Sequence, residues 1–597
     1  MSEYAIATPQ LDATAAGVAA FDAGGNAIDA ALAAAATLCV TYPHNVALGG
    51  DLFALVRTPA GETTSVNASG PAGRAADAET LRRRICGGPT TGSPRVSAAA
   101  PGPNAKGSGA REREAGRPEA RRRDGAAMPT YSPDAITVPG LVAGWEALHG
   151  LGATRSWADT LGAAIGHAAD GFAVGRSLAA AIDAARGALD GDPGLRALFV
   201  PGGRQLVEGD TLRQPALAST LQTLAAEGPR AFYEGALAER LITGLRRAGC
   251  SLDTGDLAAF GPELTAPLRH RCGDLDLLTS PPNSSGVLLL QALAALSSAG
   301  VPDPLGADAA VLAELLRLGA QQRDDALGDP RAVSVELEAW LGSERIARLA
   351  EAALARVADG AGAADVAGSD VAGSDVAGSD VADKGAAGTG ASAAAQTARG
   401  ERSPHPDGDT IAIVAVDGEG RAVSLIQSVF HSFGARLLEP ETGVLMHNRG
   451  SFFSLVPGHP NELAPGRRPA HTLMPVMVES DGELRHVLGT MGGKAHAQIH
   501  AQVLLRLLAG EHPQAAVASP RWIVGGADVG DPDDTVLIED DVTPAARASL
   551  QAAGMRLVPA GTRSERCGHA QAIAFTPTGL QAGSDPRADG AAVVGSR

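Results

Sequence analysis

Apolar residues recur at helical spacing through residues 8–38, and the pattern breaks once, at Gly24-Gly25-Asn26. That triplet predicts the end of one helix and a second beginning at Ala27-Ile28-Asp29, with Asn26 as its cap. Residues 140–350 read as largely helical, including amphipathic stretches at 217–226 and 237–248 and a strand-like run at 275–278. β-Hairpins interrupt the helices. Beyond residue 410 the period falls to two, the spacing of strands. The elements predict a mixed α+β chain.

Two segments stand outside this pattern. Residues 87–127 combine Gly, Pro and Ser with Arg111, Arg113, Arg117, Arg121, Arg122 and Arg123, and hold almost no large apolar side chain. Such a composition predicts a solvated, disordered insert. Without interleaved aromatics the arginines give only weak support to a nucleic-acid surface. The second segment, about 359–405, repeats Gly-Ser-Asp-Val-Ala at 368–372, 373–377 and 378–382. Small and acidic residues in that order bury too little surface to offset chain entropy, which predicts a flexible tether.

The tether ends just before Asp409-Thr410, where an apolar strand begins. Residues 410–417 are followed by Gly418-Glu419-Gly420 and a second apolar run, a hairpin signal. A three-residue loop pairs Asp417 with Arg421 and sets Thr410 opposite Ser428. A loop one residue different would bring Gln427 or Val429 there instead. A cut between Asp409 and Thr410 would leave Thr410 with a free α-amine beside its own hydroxyl, so that one residue holds both base and nucleophile. The tether would then give the two halves freedom to separate.

Composition narrows the classes. At 597 residues, 45% hydrophobic, the chain has ample apolar material for a large core. Its 67 acidic against 49 basic residues give a net charge of −18, which argues against nucleic acid as a partner. Five scattered cysteines with no C-x-x-C pair suggest neither a zinc knuckle nor a disulfide framework. The N-terminus lacks a basic region followed by an apolar run, and the alanine-rich stretch 30–40 is too short to span a bilayer. The expectation is a cytoplasmic protein with no membrane partner. His496 and His500 stand four apart, but no glutamate follows the first and no third ligand is in view, so no metal site is expected. Asp29 and Asp51, beside glycine pairs, read as caps or turn residues.

Eight blocks in one order carry a resemblance. They are Gly24 to Ala31; Tyr42-Pro43-His44 with Leu48-Gly49-Gly50; Val138-Pro139-Gly140 with Ala143-Gly144; Phe232-Tyr233-Glu234-Gly235; Pro281 to Gly286; Gly408-Asp409-Thr410; Arg468-Pro469 with Pro475; and Met491-Gly492-Gly493. In these the chain resembles the γ-glutamyltransferase family of N-terminal nucleophile hydrolases. The resemblance implies a four-layer αββα sandwich and a precursor that cleaves itself between Asp409 and Thr410. Residues 1–409 and 410–597 would be the large and small subunits of a heterodimer. It further implies Thr410 as the nucleophile that forms an acyl-enzyme and the N–H groups of Gly492 and Gly493 as the oxyanion hole, while the hairpin register makes Ser428 the candidate to hydrogen-bond Thr410. No cofactor is implied.

The family's clamp for an amino-acid head group is altered here. Phe452 stands where an acid binds the α-amino group, Ala76 where an arginine binds the α-carboxylate, His471-Thr472 where two serines stand, and Phe430 where an asparagine stands. The run 424–430, Asn448-Arg449-Gly450 and the run 460–466 look closer to a cytoplasmic branch that includes oxamate amidohydrolase. There Arg449 becomes a carboxylate clamp, because its planar fork suits bidentate pairing. Asn448, His447, His471 and Thr472 are further candidates for the pocket. The expected activity is hydrolysis of, or acyl transfer from, a small amide such as an oxo-amide. A glutathione hydrolase with a rebuilt clamp and a non-processed, non-catalytic scaffold remain the alternatives.

Overall fold

The structure, a computed structural model, describes residues 3–87, 127–369, 409–525 and 533–597. The arginine cluster and most of the five-residue repeat lie outside these residues.

Along the chain the strands of the two large sheets are β1 (Glu3–Thr8), β2 (Asp51–Arg57), β3 (Thr63–Ala68), β4 (Glu263–Thr265), β5 (Leu268–Cys272) and β6 (Leu275–Thr279) before residue 409. After it come β7 (Asp409–Val416), β8 (Ala422–Phe430), β9 (Val476–Ser480), β10 (Glu483–Met491), β11 (His569–Thr576), β12 (Gly579–Ser584) and β13 (Ala591–Ser596). They form two antiparallel sheets, ordered β13-β1-β7-β8-β2-β3-β4 and β12-β11-β10-β9-β6-β5.

Side-chain alternation divides the core into three parts. Val414 and Val416 of β7 meet Met477, Val487 and Ile573 of the second sheet, so the sheets stack face to face. Ile411, Ile413 and Ala415 point the other way, toward helices α1 (Leu11–Asp22), α2 (Ala27–Thr41) and α3 (Leu141–Gly150). On the far face of the second sheet, Leu277, Val476 and Leu488 pack under α4 (Gly286–Ser298), α5 (Ala309–Ala326), α6 (Ser343–Ser369) and α7 (His496–Leu508).

Helix α2 shows how the alanine-rich stretch is used: all of its residues are buried. Small side chains let it lie close to the sheet and to its neighbouring helices. Asn26 caps it as the sequence predicts. The Asn26 amide oxygen accepts from the N–H groups of Ile28 and Asp29, and Asp29 returns a bond to the Asn26 N–H.

Two expectations change. Residues 359–369 belong to α6 rather than to a tether. At Gly360 an added Cβ would lie 2.5 Å from the Ala553 carbonyl, so the helix continues against the body of the protein where a larger residue would not fit. Second, the parts before and after Thr410 are interwoven. Strand β1 sits between β13 and β7, and β8 pairs with β2. A cut at residue 410 therefore leaves both sheets holding the pieces together. Among the described residues no helix is long and apolar enough to cross a membrane.

Candidate active site

Three polar residues form a row across the face of the first sheet that looks toward the second. The preceding row, Ala412, Ile426 and Phe53, forms an apolar floor with Leu473. One pleat further along the same three strands stand Thr410, Ser428 and Asp51, with Ser428 and Asp51 in direct register. All three are buried. Thr410 Oγ donates to Ser428 Oγ at 2.9 Å, and the same oxygen accepts the Phe430 N–H at 2.8 Å.

The hairpin closes where the glycine loop indicates, with the Asp417 N–H donating to the Arg421 carbonyl at 3.0 Å. Its ladder runs regularly to Ile411 opposite Gln427, then shifts and resumes at Asp409 opposite Phe430. Phe430 takes a φ of 80°, an uncommon conformation for a bulky residue. Asn45 enters the opening that the bulge makes. Its carbonyl accepts the Val429 N–H at 3.1 Å, and its Nδ2 donates to the Thr410 carbonyl at 3.3 Å. The bulge thus exchanges ladder bonds at Thr410 for a side-chain contact.

Strand β10 runs over this row. The Leu488 carbonyl accepts the Ser424 hydroxyl at 2.6 Å, and an added Cβ at Gly489 would lie 2.8 Å from that of Ala412. Two residues further on, the strand ends at Met491 and the chain turns through Gly492 and Gly493. Gly493 has a φ of 53°, and a Cβ on Gly492 would fall 2.3 Å from Ile499 Cδ1. Both positions thus favour glycine. The next carbonyl, that of Lys494, accepts from Arg323 Nη1 at 3.3 Å.

Beyond Ser428 lies a buried charged wall. Asp51 Oδ1 accepts the Gly70 N–H at 3.1 Å, and Oδ2 lies 3.3 Å from His471 Nε2 and 3.6 Å from His447 Nδ1. His471 Nδ1 accepts the Leu473 N–H, so its Nε2 carries the hydrogen and donates to Asp51. His447 Nδ1 accepts the Arg449 N–H, and its Nε2 donates to the Thr137 carbonyl at 3.0 Å. Burial, aided by the Arg449 charge, pushes His471 down to about 3, and burial also lowers His447, opposed by the Asp51 charge. Burial alone would raise the Asp51 carboxyl. The two histidines and Arg449 outweigh it and hold the carboxyl below its ordinary value.

Arg449 is 1% exposed, which makes its wiring informative. Nη2 donates to Thr472 Oγ at 3.3 Å, whereas Nε and Nη1 have no acceptor among the described residues. The guanidinium lies 3.6 Å from the centre of the Phe430 ring, with Phe452 at 5.7 Å. Burial draws its pKa down to about 9, opposed by the charge of Asp51, and it stays charged at neutral pH. Buried guanidinium donors without an acceptor are an arrangement suited to an anion.

Among the candidate residues, Thr410 and Ser428 are in contact, and Arg449 and Thr472 are in contact. His471 joins the wall through Asp51. Asn448 differs: its Oδ1 accepts the His431 N–H and its Nδ2 donates to the Thr130 carbonyl, so its amide is committed to pinning two loops. Sequence reasoning read Asp51 as a cap or turn residue and passed over Asn45. The signal for Asp51 was its place directly after Gly49-Gly50, on the strand that follows them. His500 donates from Nε2 to the Met474 carbonyl, and His496 Nδ1 lies 3.3 Å from Thr490 Oγ. No cluster of three metal-ligating side chains occurs among the described residues.

With this geometry in view, the chain belongs to the gamma-glutamyltranspeptidase family, whose model matches residues 13–105 and 109–595. It is an amidohydrolase or γ-glutamyltransferase-like enzyme, similar along its length to proteins described as proenzymes. It is 33% identical over 587 residues to the oxamate amidohydrolase proenzyme of Klebsiella pneumoniae, covering 95% of this chain and 94% of that protein. It is 31% identical over 594 residues to the glutathione hydrolase-like YwrD proenzyme of Bacillus subtilis, with 98% of each covered. Among solved structures, cephalosporin acylase from Bacillus halodurans superposes with a TM-score of 0.77 at 26% identity, covering 99% of this chain and 96% of that one.

Proposed function

We propose that this enzyme cleaves itself between Asp409 and Thr410 and then hydrolyses a small amide that carries a carboxylate next to the scissile carbonyl, an α-oxo amide of the oxamate type. The layers described above would form the αββα sandwich of N-terminal nucleophile hydrolases. Residues 1–409 and 410–597 would be its subunits.

In maturation, Thr410 Oγ attacks the Asp409 carbonyl carbon and the C–N bond breaks as the Thr410 nitrogen takes a proton. Water then hydrolyses the resulting ester. In turnover the freed α-amine takes the Thr410 hydroxyl proton as Oγ attacks the substrate carbonyl. The N–H groups of Gly492 and Gly493 receive the oxyanion, each such donor contributing about 2.7–4 kcal/mol of transition-state stabilisation. The substrate C–N bond then breaks as the α-ammonium gives its proton to the departing nitrogen, and water attacks the resulting ester to release the acid and restore the Thr410 hydroxyl.

The observation that carries the substrate class is the buried, half-unpaired guanidinium of Arg449, which lies over the ring of Phe430, the residue whose N–H donates to Ser428. A carboxylate can take its free donors. An α-ammonium would meet Arg449 instead, because the nearest acid, Asp51, is already bonded to Gly70 and His471. The unpaired cysteines Cys39, Cys250, Cys272 and Cys567 are in keeping with a cytoplasmic setting.

Steady-state kinetics test the reading. Oxamate-type amides should exceed a γ-glutamyl anilide in kcat/KM by at least about a hundredfold, the worth of one charge-assisted pairing of roughly 3 kcal/mol. Comparable turnover of the two would overturn the assignment of substrate.

A further inference from the structure

Asn45 is buried, and its main chain is fixed at both ends: its N–H donates to the Tyr42 carbonyl and its carbonyl accepts the Val429 N–H. Its side chain reaches to Thr410. The Thr410 carbonyl can only accept, so Nδ2 is the atom that faces it, at 3.3 Å. The planar amide then presents Oδ1 beside the same residue. Oδ1 has no donor among the described residues. A buried acceptor left without a donor is costly, and such groups call for an explanation.

The backbone supplies one. In an extended strand the N–H and C=O of a residue project toward the same edge, as the paired bonds of an antiparallel ladder require. Thr410 lies within β7, so its nitrogen points to the edge where Asn45 bonds its carbonyl. In the uncut chain that nitrogen is an amide, with one hydrogen and a delocalised lone pair. Cleavage adds one water across the Asp409–Thr410 bond. Asp409 gains a carboxylate, and the Thr410 nitrogen becomes an amine with two hydrogens and a localised lone pair.

We propose that Asn45 is a positioning residue for this amine, its Oδ1 accepting one N–H so that the lone pair turns toward the Thr410 hydroxyl. The assignment rests on Thr410 being the N-terminal nucleophile. It gives Asn45 a part in turnover and none in the cut itself. The other titratable or charged groups around the amine are Asp51, His447, His471 and Arg449 on the wall, His44 preceding Asn45, His569 opposite Met491, Lys494 after the glycine pair, and the new Asp409 carboxylate.

Two variants of the full chain test this, Asn45→Asp and Asn45→Leu, each compared with wild type after maturation. An aspartate keeps the shape but sets a carboxylate against the amine, which favours the protonated form. Both variants should still yield a lighter chain beginning at Thr410. In Asn45→Asp the acidic limb of the kcat/KM profile should move upward by about one pH unit. In Asn45→Leu, kcat at pH 7 should fall at least about tenfold with KM within about twofold of wild type, as expected when only transition-state alignment is lost. An unmoved acidic limb in Asn45→Asp, or wild-type kcat in Asn45→Leu, would overturn the proposal. So would a variant that stays uncut, since Asn45 would then act before the amine exists. A wild-type lighter chain beginning elsewhere would instead remove the nucleophile on which the proposal rests.

Discussion

A guanidinium that is fully buried, charged at neutral pH and bonded to one hydroxyl leaves most of its donors unmet, and Arg449 is in that state. Its stability cost and its use in binding can be separated. Arg449→Met replaces it with an apolar side chain of similar reach between Phe430 and Phe452. Removing a buried charge of this kind is often neutral or stabilising. The melting temperature should hold or rise, while KM for a carboxylate-bearing amide should rise at least about a hundredfold, for roughly 3 kcal/mol of charge-assisted bonding. A drop in melting temperature with an unchanged KM would assign Arg449 to the fold instead. At this scale the sequence was only partly legible. The guanidinium's suitability for carboxylate was readable from residue type. Asp51 read as a turn residue because the two histidines that face it lie about 400 positions away, and no local spacing records that approach. Asn448 looked like a pocket residue, yet its amide is used by two backbone groups that no motif reveals.

Elements governed by local chemistry were the easiest to read. The glycine-rich connection after Asp417 set the hairpin register, and the structure closes it with the Asp417–Arg421 bond. The Asn26 cap was equally local, since side chain and backbone partners lie within three residues. What the strand pattern hid was the bulge, a shift of register between Gln427 and Phe430 that no composition rule placed. That bulge admits Asn45 and bends Phe430 onto Arg449. Helix α6 outruns its compositional end because Gly360 packs closely against Ala553, a tertiary contact overriding weak local preference. After residue 410, α7 and two shorter helices at Pro513–Ala518 and Pro544–Ala552 interrupt what read as strands.

Across the whole molecule, burial sets how the protein responds to acid. His431, His471 and His500 are pushed by burial down to about 3, and His486 to about 4. In the unfolded chain such rings titrate near about 6.5. Between those values the unfolded state binds more protons than the folded one. Their contribution is therefore complete above about pH 6.5 and is lost as pH falls toward the folded values. Each fully buried ring removes up to about 1.4 kcal/mol per pH unit in that window. The urea midpoint should decline steadily from pH 6.5 to 4.5, before most carboxylates titrate. A flat profile over that range would show the rings to be solvated.

The interleaving of the sheets bears on maturation in the same way. Strands β13, β7 and β8 come from the part after the cut and β1, β2 and β3 from the part before it, so severed chains should travel together until denatured. Stepwise N-terminal sequencing of the lighter chain from fully active, denatured protein tests the central claim most directly. The account predicts a first cycle of threonine followed by isoleucine and alanine, the order of Thr410-Ile411-Ala412, and a single uncut chain for Thr410→Ala. A lighter chain with any other first residue, or full activity in protein that was never cut, would contradict it.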